Sequence, residues 1–89
     1  MQLPSTFARR LYLARLNAGL DQNALGDAVG LTGHTIGRLE RGQTTQISIR
    51  ALRKLARVLK VTTDWLLAMD VPDEEADEAQ EDLLAAPHA

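Results

Sequence analysis

A short segment near the middle of the chain carries the side chains best suited to bind a partner. Residues 31–42 read LTGHTIGRLERG, with Ile36 and Leu39 on one side of a helical pattern. The other side carries hydrogen-bond donors, which are His34, Thr35, Arg38 and Arg41. The segment also contains Gly33 and Gly37, and each glycine costs roughly 1 kcal/mol against alanine inside a helix. A helix that is weak but rich in donors is expected to use its exposed face for recognition.

The rest of the composition offers little other chemistry. The 89-residue chain has no cysteine, so it forms neither a disulfide nor a thiolate metal site. Its two histidines, His34 and His88, do not have metal-ligand spacing. Because no nucleophile–base pattern or phosphate-binding glycine loop is present, we expect no enzymatic activity and no cofactor. No signal pattern and no apolar run of about 18 residues occurs, so a cytoplasmic protein without a membrane segment is expected.

The net charge of −2 conceals two oppositely charged parts. Residues 1–69 contain all ten lysines and arginines but four acids, which gives +6. Residues 70–89 contain the other eight acids and no base, which gives −8. We predict a domain over residues 1–69 and an acidic tail over residues 70–89, in which Pro72 can begin a helix. Basic domains often bind polyanions, and acidic tails often modulate such contacts.

Helix start and stop signals occur five times in residues 1–69, and no strand pattern appears. Ser5 or Thr6 is predicted to cap the first helix, which Gly19 ends. The caps predicted for the other helices are Asp21, Thr32, Ser48 and Thr62. The apolar positions expected to face inward are Phe7, Leu11, Ala14 and Ala18 in the first helix, Leu25, Ala28 and Val29 in the second, and Ile49, Leu52, Leu55, Ala56 and Leu59 in the fourth. The pattern predicts a compact all-α domain of five short helices.

The second and third predicted helices are separated by a turn that reads GLT. A helix, a tight turn with glycine and a second helix together form the helix-turn-helix signature. Gly30 suits the left-handed conformation in which a sharply ended helix stops. Gly26 lacks a side chain where the two helices would cross, which permits a close approach.

These features resemble the lambda-repressor and Cro family of phage and bacterial regulators, often called XRE-type, over about residues 7–67. The resemblance is carried by AGLDQNALGDAVGLTGHTIGRLERG and by ALRKLARVLKVTTDWLL. The matching positions are Leu20, Asp21, Gln22, Gly30, Ile36, Glu40, Arg41 and Gly42. The resemblance implies DNA binding, because an α-helix fits the major groove and its exposed donors can read base edges.

The resemblance also implies which residues of the third helix face the bases. The corresponding positions are Gly33, His34, Thr35, Gly37 and Arg38. Arg38 is the best candidate, because its guanidinium group can bond O6 and N7 of guanine together, although a phosphate contact or a solvated arginine remains open. Gly33 departs from the family, where glutamine is frequent, and this removes a possible contact with adenine.

Further residues are expected to contact phosphates or to hold the domain together. The resemblance implies a phosphate contact from Gln22 and an ion pair between Arg15 and Glu40. The loop 43–46 is interpreted as a phosphate-positioning loop, with a plain polar loop as the alternative. The phosphate candidates are Gln22, Arg10, Arg41, Gln43, Thr44 and Thr45, with Arg9 and Arg50 as additional ones. The residues expected at a dimer contact are Thr63, Trp65 and Leu66, although a core position suits Trp65 equally well.

Three functions are compatible with these residues. The first is a sequence-specific regulator of double-stranded DNA, a repressor whose homodimer reads a palindromic operator and which lies at the nucleoid when bound. The second is a DNA-binding antitoxin whose acidic tail occupies a partner protein. The third is a protein-interaction module that no longer binds DNA, which Arg38 and Arg41 beside a polar loop disfavour. The tail is expected either to be solvated or to compete with DNA for the basic face.

Overall fold

Five α-helices form the part of the protein that the structure describes. The computed structural model describes residues 2–69, so the predicted acidic tail and its helix lie outside the described residues. The helices are α1 (Phe7–Asn17), α2 (Gln22–Val29), α3 (Gly33–Glu40), α4 (Ile49–Leu59) and α5 (Thr63–Leu66). Between residues 2 and 69, β-pairing is limited to one antiparallel bridge between Gln2 and Gln46. The all-α prediction is confirmed, and no helix in this range is long and apolar enough to cross a membrane.

Four of the five helices begin at the side-chain caps that the sequence predicts. Each cap accepts a hydrogen bond from a backbone N–H three residues further on, which satisfies a donor that the first helical turn leaves unpaired. These caps are Asp21, Thr32, Ser48 and Thr62. The prediction for α1 is wrong, because Thr6 already has helical backbone angles (φ −78°, ψ −12°) and makes no capping bond. A capping residue normally has extended angles, which aim its oxygen at the first turn.

One hydrophobic core lies between the helices. It contains apolar side chains from all five helices, together with Leu3 and Ile47 from the flanking segments. Each helix contributes a fully buried residue, and these are Leu11, Leu25, Ile36, Leu55 and Leu66. Ala18, Ala28 and Ile49 were predicted to face inward but are exposed. Each of the three stands at or beside a helix end, where the neighbouring helices no longer cover it.

Two glycines fix the position of α3 on α2. Gly26 is buried, and a Cβ atom there would lie 2.7 Å from the carbonyl carbon of Thr32 and 2.9 Å from the amide nitrogen of Gly33. Gly30 ends α2 in the left-handed conformation with φ of 76°. Since only glycine adopts this conformation without a Cβ clash, the turn can be short and the two helices can touch.

Candidate nucleic-acid interface

The exposed side of α3 carries the polar residues that the sequence suggests for reading bases. His34 and Arg38 are exposed, and their four-residue spacing places them one helical turn apart on the same side. Thr35 is half-buried and takes part in the N-terminal cap of α3. Its amide nitrogen donates to Thr32 Oγ1, and its own Oγ1 accepts from the Thr32 hydroxyl, both at 3.0 Å. His34 and Arg38 are therefore the exposed side-chain donors of α3.

The glycines of α3 make room for side chains of other elements. A Cβ atom at Gly33 would overlap the side-chain oxygen of Asn23. Gly37 is buried, and a Cβ atom there would lie 2.9 Å from Arg41 Nη1 and 3.2 Å from Gln22 Oε1. Gln22 and Arg41 therefore lie against Gly37, and its place among the residues that face the bases stays a prediction.

Asn23 is a residue at this surface that the sequence analysis missed. It is exposed in the first turn of α2, and its amide lies against Gly33, the first residue of α3. Position 33 is the one where the resembling family often has glutamine. In the sequence, the glycine at position 33 could have indicated Asn23. The space that a missing side chain leaves is filled here by a polar group from the adjacent helix.

An ion pair joins α1 to the end of α3. Arg15 Nε donates to Glu40 Oε2 at 2.6 Å, and Arg15 Nη2 donates to Glu40 Oε1 at 3.2 Å, which is the two-pronged geometry of strong arginine–carboxylate pairs. The two side chains are 10% and 5% exposed. The hydrogen bond with Glu40 raises the pKa of Arg15 above its ordinary value. The ion pair is thus buried, as suits a contact that holds the helices of the domain together.

Gln22 extends this ion pair to α2. Its Nε2 donates to Glu40 Oε1 at 3.1 Å, so that α1, α2 and α3 meet at one carboxylate. Arg15 Nη1 also donates to the carbonyl oxygen of Leu20 at 2.9 Å, which fixes the chain just before α2. The sequence suggested a phosphate contact for Gln22 but not this bond to Glu40. The second hydrogen on Nε2 is left for another acceptor.

The loop after α3, residues 43–46, is held by hydrogen bonds on both sides. Arg41 is exposed, and its Nε donates to Gln43 Oε1 at 3.2 Å. The amide nitrogen of Leu3 donates to the carbonyl oxygen of Thr45 at 2.6 Å, and Gln2 Nε2 donates to Thr45 Oγ1 at 3.2 Å. The loop 43–46 therefore has a defined position, and the sequence did not predict its pairing with the N-terminal segment.

Arg10 does not lie on this surface, so its prediction as a phosphate contact is wrong. It is fully buried, its Nη1 donates to the carbonyl oxygen of Trp65 at 2.6 Å, and its guanidinium carbon lies 4.9 Å from the centre of the Trp65 ring. The helical period places it beside Leu11 on the inner side of α1.

Arg9 faces a different way from Arg10, onto a cleft that is also lined by Tyr12, Gln22 and Arg41. Arg9 is therefore the cation that α1 offers to an anionic ligand.

The prediction that Leu66 forms a dimer contact is also wrong, because this side chain is fully buried in the core. Thr63 and Trp65 are half-buried. The ring of Trp65 packs against Arg10, so the greater part of this side chain belongs to the interior. Met69, which is 68% exposed, is the large apolar side chain at the surface next to α5.

Comparison with known proteins agrees with this geometry. A family model described as helix-turn-helix matches residues 11–66, which include all of α2, α3 and α4. The chain belongs to the XRE-type helix-turn-helix family. The helix-turn-helix assignment that the sequence motifs predicted is confirmed.

Two helix-turn-helix relatives show what kinds of protein share this domain. One is the SPbeta prophage-derived uncharacterized HTH-type transcriptional regulator YonR of Bacillus subtilis (strain 168), which is 34% identical over 61 residues. That alignment covers 68% of this chain but 56% of YonR, so the chain spans little more than half of this relative. The other is the P22 c2 repressor in complex with synthetic operator 9T in the presence of Tl+, with a TM-score of 0.65 and 30% identity over 75% of this chain and 96% of that chain. Both relatives are regulators rather than enzymes.

Proposed function

We propose that the protein binds specific sites on double-stranded DNA and regulates transcription, as a repressor whose homodimer reads a palindromic operator. The observation that carries the proposal is the exposed pair of His34 and Arg38 on α3, together with Gln22, which bonds the end of α3, and the loop 43–46, which follows α3. A helix in the major groove presents such donors to base edges, while flanking elements contact phosphates. The similarity to a repressor in complex with an operator supports the proposal.

Each polar residue of the interface has a role in this proposal. Arg38 bonds a guanine, and His34 bonds a neighbouring base or phosphate. The amide of Asn23 lies against Gly33 and contacts the base edge that a longer side chain at position 33 would reach. The phosphate contacts come from Gln22, Arg9, Arg41, Gln43, Thr44 and Thr45.

The size of the recognition helix supports the proposed homodimer. One α3 covers a few base pairs, so two copies related by a twofold axis would read half-sites about 34 Å apart. The surface that α5 offers for the contact consists of Thr63, the exposed part of Trp65 and Met69. Sedimentation with and without DNA measures the assembly, and a strictly monomeric protein in both conditions would contradict the dimer.

Selection of bound sequences from a pool of random duplexes tests the proposed function directly. An enriched palindrome supports the complete proposal. An enriched site without twofold symmetry would support DNA reading but contradict the homodimer. No enrichment, together with no measurable binding, would contradict DNA binding and favour an interaction module.

Replacing Arg38 by alanine should cost about 1–3 kcal/mol of binding free energy on the selected site and relax the preference at one base position in each half-site. The reason is the loss of a two-pronged bond to guanine. Titrations against matched and mismatched duplexes measure both effects. The control is Arg53→Ala, which removes an exposed arginine of α4. Equal weakening on every sequence would show that Arg38 contacts only phosphate.

The salt dependence of binding should contain no contribution from Arg10 or Arg15. Arg10 is buried and Arg15 is paired with Glu40, so neither is expected to contact a phosphate. Each subunit then offers two or three cations for phosphates, and a dimer neutralises about 4–6 phosphates, so log K should fall with log salt at a slope of about −4 to −5. Arg9→Met should reduce the slope by about 2, whereas Arg10→Met should leave it unchanged. Circular dichroism at the assay temperature verifies that both variants are folded. An equal change in both variants would contradict the assigned orientations, and a wild-type slope near zero would contradict DNA binding.

A further inference from the structure

Half of the lysines and arginines lie on α4 or at its C-terminal cap, and among these five the sequence suggested a phosphate contact for Arg50 alone. Arg50, Arg53, Lys54 and Arg57 belong to this helix, Lys60 stands at its C-terminal cap, and all five are exposed. Arg53 and Lys54 are adjacent, and each of them lies three or four residues from Arg50 and from Arg57, so the five cations lie along one side of the helix. We call these five residues the α4 cation face.

No carboxylate of residues 2–69 neutralises the α4 cation face. The helix itself contains no acidic residue, and none of the five cations forms an ion pair with a residue in this range. Like charges three or four residues apart repel each other on a helix surface. An arginine in the first turn, as Arg50 is, also opposes the positive end of the helix dipole. The α4 cation face is therefore a surface that a bound polyanion would stabilise.

We propose that the α4 cation face binds the acidic segment of the same chain, residues 70–89. This segment has eight carboxylates between Asp70 and Asp82 and no lysine or arginine, so its charge complements the five cations of α4. Opposite charges within a few ångströms attract strongly at low ionic strength, where screening is weak.

The connection between the two parts of the chain favours this contact. The helix α5 packs against α4 and α1, and Met69, the last described residue, lies three residues after the end of α5. The stretch from Asp70 to Asp82 can span at most about 40 Å when extended. Since α4 has 11 residues and is about 16 Å long, the carboxylates can follow its whole length.

The α3 surface is a weaker competitor for the same segment. Its exposed cations are Arg38 and Arg41, and the half-buried Arg9 lines the same cleft as Glu40. Binding on α4 would leave His34 and Arg38 uncovered, so the acidic segment would shield excess positive charge without covering α3. The inference stands independently of DNA binding, and its test uses no DNA.

The two lysines of the chain make a direct experiment possible. Lys54 and Lys60 both belong to the α4 cation face and, apart from the α-amino group, they are the only amines in the protein. A carbodiimide joins a carboxylate to an amine with which it is in contact, and mass spectrometry of the digested full chain locates the link. We expect links from residues 70–82 to Lys54 or Lys60, with a yield that falls at least about fivefold between 0.01 M and 0.5 M salt, because the Debye length shrinks. Absence of these links at low salt would overturn the proposal.

Matched charge reversals distinguish the α4 cation face from the α3 surface. The variant Arg53→Glu with Arg57→Glu should reduce the lysine links at least about threefold. The variant Arg38→Glu with Arg41→Glu changes the same charge on α3 and should leave them unchanged. The opposite order of yields would place the segment on the α3 surface, and links mainly to the α-amino group would place it away from α4; either result would overturn the proposal.

Isotope mixing and thermal unfolding complete the test. Links formed in a mixture of ¹⁵N-labelled and unlabelled protein should join segments of the same label, and mixed-label links would show that the acidic segment binds a second copy instead. Neutralising the segment in the full chain (Glu74→Gln, Glu75→Gln, Glu78→Gln and Glu81→Gln) should lower the melting temperature at 0.01 M salt by a few degrees. The difference should vanish at 0.5 M salt. An unchanged melting temperature at low salt would contradict a stabilising contact.

Discussion

Replacing Gly26 by alanine should lower the free energy of unfolding by about 3 kcal/mol, at the upper end of the usual cost of overpacking. The new methyl group would stand 2.7–2.9 Å from three backbone atoms of the turn, in Leu31, Thr32 and Gly33. Backbone cannot rotate aside as a side chain can, so α2 and α3 must separate. For a domain of this size the loss corresponds to a fall in melting temperature of roughly 15–20 °C. Thermal and denaturant unfolding measure the change.

Gly37→Ala is the matched control for this substitution. It also replaces a buried glycine of the same helix pair, and both changes gain about 1 kcal/mol of helix propensity. The Cβ atom at position 37, however, would meet the ends of the Arg41 and Gln22 side chains, which can move. We expect Gly37→Ala to change stability by less than about 1 kcal/mol. Similar losses in the two variants would show that contact between the backbones of α2 and α3 is not the cause.

Replacing Glu40 by alanine should lower the free energy of unfolding by about 3–5 kcal/mol, because it leaves a buried guanidinium group without its carboxylate. Arg15 would retain the carbonyl oxygen of Leu20, and Gln22 would lose its acceptor. The loss exceeds that of a surface pair because the partners are 10% and 5% exposed and are little screened by water. Since the carboxylate joins three helices, DNA affinity should fall together with stability.

A double-mutant cycle separates the ion pair from the rest of the site. Arg15→Met and Glu40→Leu should each be strongly destabilising, whereas the double variant should cost less than either, because two apolar side chains replace a buried pair without leaving a charge. Arg53→Ala, which removes an exposed arginine, should stay within about 0.5 kcal/mol of the wild type. Additive losses in the cycle would mean that Arg15 and Glu40 do not stabilise each other.

Local signals in the sequence determined the elements of this protein. The four caps at Asp21, Thr32, Ser48 and Thr62 predicted where α2 to α5 begin, because a short polar side chain satisfies donors only a few residues away. Gly30 predicted the end of α2 for an equally local reason, the left-handed backbone. The order of these signals predicted the helix-turn-helix, and the resemblance of the motif residues to known regulators indicated its family.

Contacts between distant residues were decided only by the tertiary structure. Arg9 and Arg10 are adjacent and chemically identical, yet Arg10 is buried against Trp65, 55 residues further along the chain. Likewise Asn23 fills the space at Gly33, and Gln22 bonds the carboxylate that Arg15 holds. Helical periodicity gives the direction of a side chain relative to its own helix, but not which element meets it there. Burial of a charge depends on the partner that compensates its lost hydration, and that partner is fixed only when the helices pack.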